Sequence, residues 1–242
     1  MMLGDAAVDR LAGSHVAIVG LGAVGSYAVE GLARAGVGRL TLVDFDQVKP
    51  SNINRQLYAL ESTIGQPKAR VAAARVRDIN PGCDVRPLEL FAHSDTLDEI
   101  LSGPPDLVVD AIDGLLPKRV LIQDTVRRSI GIIAAMGAAL RTDPSAVCVG
   151  PLRTTRGCPL AKRLRRMLRD HIDLDAVQCV YSDEVVPEGS AREPDEADLA
   201  ESPTGRGRQR RTLPSLPTLT GIFGLTVANE AIGSLVGDAW PR

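Results

Sequence analysis

The sequence predicts an α/β protein with a Rossmann-like sheet, mixed but mainly parallel, with helices on both faces. Short β-branched runs alternate with helix-length segments between residues 15 and 133. A glycine-rich turn follows the first run, and acidic residues close later ones. Such alternation is typical of right-handed βαβ crossovers. With 242 residues, 44% hydrophobic and 24% charged, the chain has the composition of one globular domain.

Five β-branched runs give the strands of the first half. We predict them over residues 15–20, 39–44, 83–88, 106–112 and 131–135. A helix is predicted over 66–80, because Ala69, Ala72, Val76 and Ile79 recur on one helical face. The Asn-Pro-Gly sequence at 80–82 ends it. These elements make residues 1–144 the Rossmann-like half of the domain.

Residues 145–242 are predicted to form the second half of the same domain. Strand-like runs at 146–149 and 177–182 flank a basic helix at 159–170. The apolar stretch 213–236 contains prolines, an asparagine and a glutamate, which predicts a buried C-terminal helix and no membrane span. Residues 187–212 are rich in Pro, Gly, Ser and charge, which predicts a mobile loop, either merely solvated or reaching a partner.

Composition restricts the class of protein. The chain has 28 basic and 30 acidic residues, so its net charge of −2 argues against wholesale coating of nucleic acid. Its 4 cysteines form no C-x-x-C pair, which argues against a zinc ribbon and fits free thiols in a reducing compartment. The N-terminus lacks the pattern of a signal peptide. We therefore expect a cytoplasmic protein.

The turn from Gly20 to Gly25 carries the G-x-G-x-x-G pattern between a predicted strand and a helix. Gly20 permits the tight turn, Gly22 lets the backbone approach a phosphate, and Gly25 lets helix and strand pack closely. Asp44 follows about 20 residues later and ends the second strand, where a carboxylate can accept hydrogen bonds from ribose. These residues predict an adenine nucleotide, either NAD or ATP.

The residues beyond Asp44 favour ATP. Asp46 is followed by Ser-Asn-Ile-Asn-Arg-Gln at 51–56 and by Lys68. A dinucleotide does not need Arg55 and Lys68 here, whereas a triphosphate needs charged donors for its oxygens. Asp113 ends a later strand, where a carboxylate can hold Mg²⁺ against phosphates. Alternatively, Asp113 caps the next helix and the two cations are surface residues.

Over residues 4–138 these motifs resemble the ATP-dependent adenylating enzymes typified by ThiF, MoeB and the ubiquitin-activating enzymes. The resemblance implies ATP and Mg²⁺ as cofactors, a homodimer, and attack of a substrate carboxylate on the α-phosphate. It implies catalytic roles for Arg55, Lys68 and Asp113, with Asp113 at the metal. The implied nucleotide-binding residues are Gly20, Gly22, Gly25, Asp44, Asp46, Asn52, Arg55, Gln56 and Lys68.

Further motifs resemble one branch of that family, the tRNA threonylcarbamoyladenosine dehydratases. They are Ile-Asn-Pro-Gly-Cys at 79–83, Pro-Lys at 117–118, Asp-Pro at 143–144 and Cys-Val-Tyr-Ser at 179–182. The resemblance implies adenylation of the threonylcarbamoyl carboxylate on tRNA, then cyclising dehydration, with a cysteine-desulfurase-related sulfur partner. The alternative is a ThiF- or MoeB-type adenylyltransferase that activates the C-terminus of a sulfur-carrier or ubiquitin-like protein.

A basic segment supports an RNA partner independently. Seven basic residues lie there with no acidic residue before Asp170, namely Arg153, Arg156, Lys162, Arg163, Arg165, Arg166 and Arg169. Such a stripe can neutralise phosphates without reading sequence. The alternative is a solvated basic helix face, and aromatic residues for base stacking are scarce at 3%.

Two questions about activity stay open in the sequence. Cys179 is predicted to be structural, because a nucleophile within the substrate needs no covalent enzyme intermediate. The rival classes are an NAD-dependent oxidoreductase and a catalytically inactive nucleotide-binding scaffold. Arg10 is the only arginine near the N-terminus, and we assign it no catalytic role.

Overall fold

The computed structural model describes residues 3–185 and 213–240. Its seven strands are β1 (His15–Val19), β2 (Arg39–Val43), β3 (Asp84–Leu88), β4 (Leu107–Asp110), β5 (Gly131–Ala135), β6 (Val147–Pro151) and β7 (Val177–Ser182). They form one sheet in the order β3-β2-β1-β4-β5-β7-β6. Every neighbouring pair is parallel except β6 and β7, which are antiparallel. The predicted mixed, mainly parallel sheet is therefore confirmed.

The described α-helices are α1 (Asp5–Gly13), α2 (Gly25–Arg34), α3 (Lys68–Ile79), α4 (Leu97–Ile100), α5 (Leu115–Arg127), α6 (Pro159–Leu168) and α7 (Pro217–Val236). Of these, α2, α3, α6 and α7 lie at or near positions where the sequence predicted a helix. The loop predicted at 187–212 lies outside the described residues. The strand predicted over 106–112 ends earlier, at Asp110, because the Ile112 N–H turns back and donates to the Asp110 carboxylate.

The sheet separates two apolar clusters because successive side chains of each strand point to opposite faces. Val16 and Ile18 of β1 belong to the cluster beneath α2, α3 and α7. Ala17 and Val19 belong to the opposite cluster, which includes apolar side chains of α5 and α6. Burying one such Val or Ile side chain stabilises the fold by about 1.5–3 kcal/mol. The prediction of helices on both faces is confirmed.

Helix α7 packs closely on α2 through small residues. A Cβ on Gly31 would lie 2.7 Å from Cβ of Ala228, and a Cβ on Gly224 would lie 2.6 Å from that of Tyr27. Among the described helices, the segment Pro217–Ala239 alone is long and apolar enough to cross a membrane, and 50% of its apolar window is buried in the fold. Arg10 donates to the Val236 carbonyl at 2.5 Å, so its guanidinium binds the end of α7.

The parallel strands bring their carboxyl ends to one edge of the sheet. Immediately after the strands, Gly20 N–H donates to the Val43 carbonyl at 2.8 Å and Ala111 N–H donates to the Val19 carbonyl at 2.9 Å. The segments that follow β1, β2 and β4 are thus tied together where ligands bind in open α/β sheets.

Candidate nucleotide site

The glycine turn leaves an opening at one of its three glycines. Gly20 has a φ of 92°, and a Cβ there would lie 2.7 Å from the Ala111 carbonyl oxygen. A Cβ on Gly25 would lie 1.9 Å from the Gly20 oxygen. At Gly22 the nearest atom to such a Cβ is Gln56 Nε2, at 3.7 Å. The turn is therefore closed to side chains at its ends and accessible in its middle, as a phosphate-binding turn requires.

Asp44 braces this turn from the end of β2. Its Oδ2 accepts the Leu21 N–H at 2.7 Å and its Oδ1 accepts the Asp46 N–H at 2.9 Å. Burial raises the pKa of the Asp44 carboxyl, while the charge of Lys68 and the two N–H donors act in the opposite direction. Each carboxylate oxygen has a second lone pair, so Asp44 can hold the turn and accept a ribose hydroxyl together.

Lys68, the first residue of α3, is the buried cation of the site. Its side chain is 7% exposed, and Nζ lies 3.2 Å from Asp46 Oδ2. Its backbone N–H also donates to the Asp46 carbonyl at 3.0 Å. A buried ammonium needs a nearby anion, which Asp46 supplies and which phosphate oxygens could share. The two residues, 22 apart in sequence, meet because α3 returns beside the loop after β2.

The segment that carries Arg55 and Gln56 is anchored to the first turn of α2. The Leu57 N–H donates to Ser26 Oγ at 3.1 Å, and the Tyr58 hydroxyl donates to the Ser26 carbonyl at 2.9 Å. Asn52 and Gln56 are both buried. These contacts set Gln56 against Gly22, so the segment forms a wall of the opening in the glycine turn.

Arg55 and Asp113 are electrostatic neighbours across the site. The Arg55 guanidinium donates to the Ser51 carbonyl at 2.8 Å and to Asn54 Oδ1 at 2.7 Å. Burial lowers the pKa of Arg55, and the negative charge of Asp113 raises it in compensation. Asp113 itself is exposed. The Arg55 guanidinium and the exposed Asp113 carboxylate are thus near enough to interact electrostatically.

The residues predicted from sequence converge. Gln56 lies against Gly22, and Asp44 holds the N–H groups of Leu21 and Asp46. Asp46 also pairs with Lys68, and Arg55 interacts electrostatically with Asp113. Within residues 3–185 and 213–240, no group of three His, Cys, Asp or Glu side chains could hold a metal alone. Mg²⁺ commonly takes one or two carboxylates together with substrate phosphates, and the exposed Asp113 fits that role.

Sequence reasoning missed a buried ion pair directly behind this edge. Lys118 Nζ lies 2.9 Å from Asp110 Oδ1, and both side chains are 0% exposed. The Asp110 carboxylate in turn accepts the Ile112 N–H at 3.0 Å. A signal was available, because Lys118 lies on the same helical face as Leu121, Ile122 and Thr125, all of which are buried.

Cys179 lies in β7 and is closed to solvent. It is 0% exposed, and its thiol points to the Val177 carbonyl at 3.7 Å. Burial raises the pKa of the Cys179 thiol to about 12. Because the thiolate is the nucleophilic form, such a thiol is inert near neutral pH. These properties agree with the structural role predicted for it.

The basic segment is only partly unpaired. Arg153 bonds to Asp173 and Asp175, and Arg156 bonds to Asp183. Arg165 donates to the Thr155 carbonyl, and Arg169 lies beside Asp170. Acidic residues that are distant in sequence therefore neutralise part of the predicted stripe. The exposed cations of α6 that make no ion pair within the described part of the chain are Lys162, Arg163 and Arg166.

The fold and site define an α/β nucleotide-binding protein of the adenylating class. The chain belongs to the ThiF family, whose model matches residues 1–241. A tRNA threonylcarbamoyladenosine dehydratase of Bacillus subtilis is 42% identical over 184 residues, 76% of this chain and 72% of that protein. One from Escherichia coli is 34% identical over 251 residues, covering 98% of this chain and 92% of that protein.

A solved structure of the Escherichia coli tRNA N6-threonylcarbamoyladenosine dehydratase in complex with ATP is also similar. It has a TM-score of 0.83 and 32% sequence identity, and the match covers 98% of this chain and 91% of that chain. The complex of the same protein with AMP gives a TM-score of 0.83 as well.

Proposed function

We propose that this protein uses ATP to adenylate the threonylcarbamoyl carboxylate on tRNA and then closes a ring with loss of water. The observation that carries the proposal is a glycine turn that is open at Gly22, walled by Gln56 and held by Asp44 through the Leu21 N–H. Relatives at 34% and 42% identity that are named tRNA threonylcarbamoyladenosine dehydratases support the same substrate.

The reaction has two steps. A carboxylate oxygen attacks the α-phosphorus of ATP, the bond to the β-phosphate breaks, and pyrophosphate leaves with that bonding pair. A nucleophile within the same modification then attacks the acyl carbon, loses its proton, and expels AMP. One carboxylate oxygen leaves in AMP, so the nucleoside loses the elements of one water and ATP becomes AMP and pyrophosphate.

The proposed roles follow from charge and position. Asp44 accepts hydrogen bonds from the ribose, and Gly20, Gly22 and Gly25 admit the phosphates to the N-terminus of α2. Arg55 and Lys68 stabilise the negative charge that develops on the phosphate oxygens in the transition state. The supporting polar groups are Asp46, Asn52 and Gln56.

We also propose that Asp113 holds Mg²⁺ against the phosphates. When bound, the metal would neutralise charge on the departing pyrophosphate. Arg55 interacts electrostatically with Asp113, so the cation and the carboxylate would act on the same phosphate group. The exposure of Asp113 suits a shared site, since Mg²⁺ retains several water ligands in such sites.

The remaining proposals concern partners. Residues 1–144 would form the ATP-binding half, and residues 145–242 the half that faces tRNA, with Lys162, Arg163 and Arg166 of α6 neutralising RNA phosphates. Resemblance to the family supports a homodimer, a cysteine-desulfurase-related sulfur partner and cytoplasmic location. The burial of Cys179 supports direct attack within the substrate, without transfer of the acyl group to a thiol.

Mass spectrometry of tRNA nucleosides tests the function. Incubation of the protein with ATP, Mg²⁺ and tRNA carrying the threonylcarbamoyl group should lower the mass of that nucleoside by one water and release pyrophosphate. Asp113→Ala should abolish the change, while Asp98→Ala, on the exposed surface of α4, should retain it. An unchanged nucleoside with the parent protein would refute the proposal.

The alternative reaction of the same chemistry gives a different result. If pyrophosphate exchange depended on a sulfur-carrier or ubiquitin-like protein, and modified tRNA had no effect, the substrate would be a protein C-terminus. Tight binding of NAD without binding of ATP would instead indicate an oxidoreductase.

A further inference from the structure

We infer that the buried Lys118–Asp110 pair is a positioning device that sets the orientation of the loop carrying Asp113. Neither side chain is open to a ligand at the candidate site, since both are 0% exposed. The inference rests on the proposed function only where it predicts weaker binding of ATP with Mg²⁺. The positioning of the loop is a property of the unliganded protein.

The pair makes two contacts from α5 to the end of β4. Lys118 Nζ lies 2.9 Å from Asp110 Oδ1 and donates to the Asp110 backbone carbonyl at 3.3 Å. One ammonium group thus binds both the side chain and the main chain of the last residue of β4. The last residue of the strand is fixed against the helix that begins just after the loop.

The carboxylate of Asp110 extends this constraint into the loop. Its Oδ1 accepts the Ile112 N–H at 3.0 Å, immediately before Asp113. On the other side, the Ala111 N–H donates to the Val19 carbonyl at 2.9 Å, and the Ala111 carbonyl lies against Gly20. The course of the loop toward Asp113 is therefore determined by the ion pair on one side and by the glycine turn on the other.

The Asp110 carboxylate is only partly satisfied by hydrogen bonds, so it depends on the charge of Lys118. Asp110 Oδ2 is buried and has no hydrogen-bond partner within the part of the chain that the structure describes. Removing Lys118 would leave a buried carboxylate without its counter-charge, a state that burial strongly disfavours. We expect the end of β4 to rearrange toward water, and the Ile112 N–H to lose its acceptor.

Amide hydrogen exchange of the unliganded protein tests the positioning directly. In Lys118→Met, the Ile112 amide should exchange at least about tenfold faster than in the parent, because its acceptor moves. The amides of β1, which exchange through global unfolding, should accelerate only by the factor set by the loss in free energy of unfolding. Parental exchange at Ile112 would overturn the inference, whatever the protein binds.

Two paired variants separate positioning from general stability. Asp110→Asn/Lys118→Met has no buried charge, and the new amide oxygen can still accept the Ile112 N–H. Asp110→Ala/Lys118→Met has no buried charge and no acceptor. Both should fold, since replacing both members of a buried pair is tolerated better than removing one. Slow exchange at Ile112 should return only in the first, and return in both would overturn the inference.

Binding by calorimetry measures the consequence for the site. Lys118→Met and Asp110→Ala/Lys118→Met should bind ATP with Mg²⁺ about 10- to 100-fold more weakly than the parent, because residues that orient a metal ligand have effects of this size. AMP, which lacks the β- and γ-phosphates, should bind within about twofold of the parent. Equal weakening of AMP and of ATP with Mg²⁺ would indicate general damage and overturn the inference.

The parent protein distinguishes failure of the proposed function from failure of this inference. If the parent binds neither ATP nor AMP, the proposed function fails, while the exchange rate at Ile112 still decides whether the pair positions the loop. If the parent binds ATP with Mg²⁺ and Lys118→Met binds it equally well, the inference fails and the proposed function stands.

Discussion

Asp44 Oδ2 accepts the backbone N–H of Leu21 at 2.7 Å, which joins the end of β2 to the middle of the glycine turn. The carboxylate proposed to bind ribose therefore also fixes the turn proposed to bind phosphate. Because the same carboxylate holds the Asp46 N–H, the geometry of the two subsites depends on a single side chain.

Replacing Asp44 should affect both stability and binding. In Asp44→Asn the amide has one oxygen and one NH₂ group, so one of the two backbone N–H groups loses its acceptor. We expect a loss of about 1–3 kcal/mol in the free energy of unfolding, together with weaker ATP binding. Urea titration and calorimetry measure the two effects. Asp170→Asn, an exposed aspartate beside Arg169, should unfold at nearly the parental urea concentration.

Two alanine substitutions in the glycine turn should affect different properties, ATP binding in Gly22→Ala and stability in Gly25→Ala. Gly22→Ala meets nothing closer than Gln56 Nε2 at 3.7 Å, so its unfolding free energy should stay within about 1 kcal/mol of the parent. Its new methyl group enters the space proposed for a phosphate, so ATP affinity should fall about tenfold or more. Thermal unfolding and ATP titration test both statements.

Gly25→Ala should damage the fold itself. Its Cβ would lie 1.9 Å from the Gly20 carbonyl oxygen, and both are fixed backbone positions. We expect a destabilisation of at least about 1–3 kcal/mol. A Gly25→Ala protein as stable as Gly22→Ala would contradict the close packing of the turn on α2.

The tRNA interface can be tested by its dependence on salt. Replacing Lys162, Arg163 and Arg166 together by alanine should reduce the slope of log affinity against log salt by up to about 2–3, since each phosphate contact contributes about 0.7–0.9. Replacing Arg153 and Arg156, which bond to aspartates, is the matched control and should change the slope much less. Equal slopes in all three proteins would show that these residues of α6 do not contact tRNA phosphates.

His15 should make stability depend on pH. Its Nδ1 lies 2.9 Å from the Gly103 carbonyl, which can only accept, so Nδ1 carries the proton and Nε2 accepts from the Thr41 hydroxyl at 2.9 Å. Burial is the main cause that lowers the pKa of His15 below 6.5. The neutral ring therefore stabilises the fold fully above about pH 6.5, and this contribution is lost as the pH falls toward the pKa of the folded state.

The comparison variant for this prediction is His15→Gln. Between about pH 7.5 and pH 5, the parent should lose more free energy of unfolding than His15→Gln, because carboxylate effects are common to both. Chemical denaturation at several pH values measures the difference. Parallel curves would show that His15 titrates alike in the folded and unfolded chains.

Local patterns carried most of the fold prediction. The spacing of Ala69, Ala72 and Val76 specified the face of α3, and the position of Gly22 between a strand and a helix specified the turn. Asp44 and Asp113 were recognisable because each follows a strand, and parallel strands end at the same edge. Such features can be predicted from residues that are close together in sequence.

Local patterns did not predict contacts between side chains that are far apart in sequence. The pattern of α5 places Lys118 on a buried face, but only the fold reveals that Asp110 lies there to neutralise it. Likewise, Arg156 looked like part of a continuous basic stripe until the fold brought Asp183 beside it. Charge pairing across elements depends on three-dimensional proximity, which spacing along the chain does not encode.

The double contact of Leu57 and Tyr58 with Ser26 has a consequence for protein engineering. Ser26 is 0% exposed and binds that segment through both its hydroxyl and its carbonyl, so a larger side chain would push α2 and the segment apart. Attempts to redesign the protein for another nucleotide should therefore leave this serine unaltered. They should vary instead the exposed positions around the rim, where a change of shape does not spread into the scaffold.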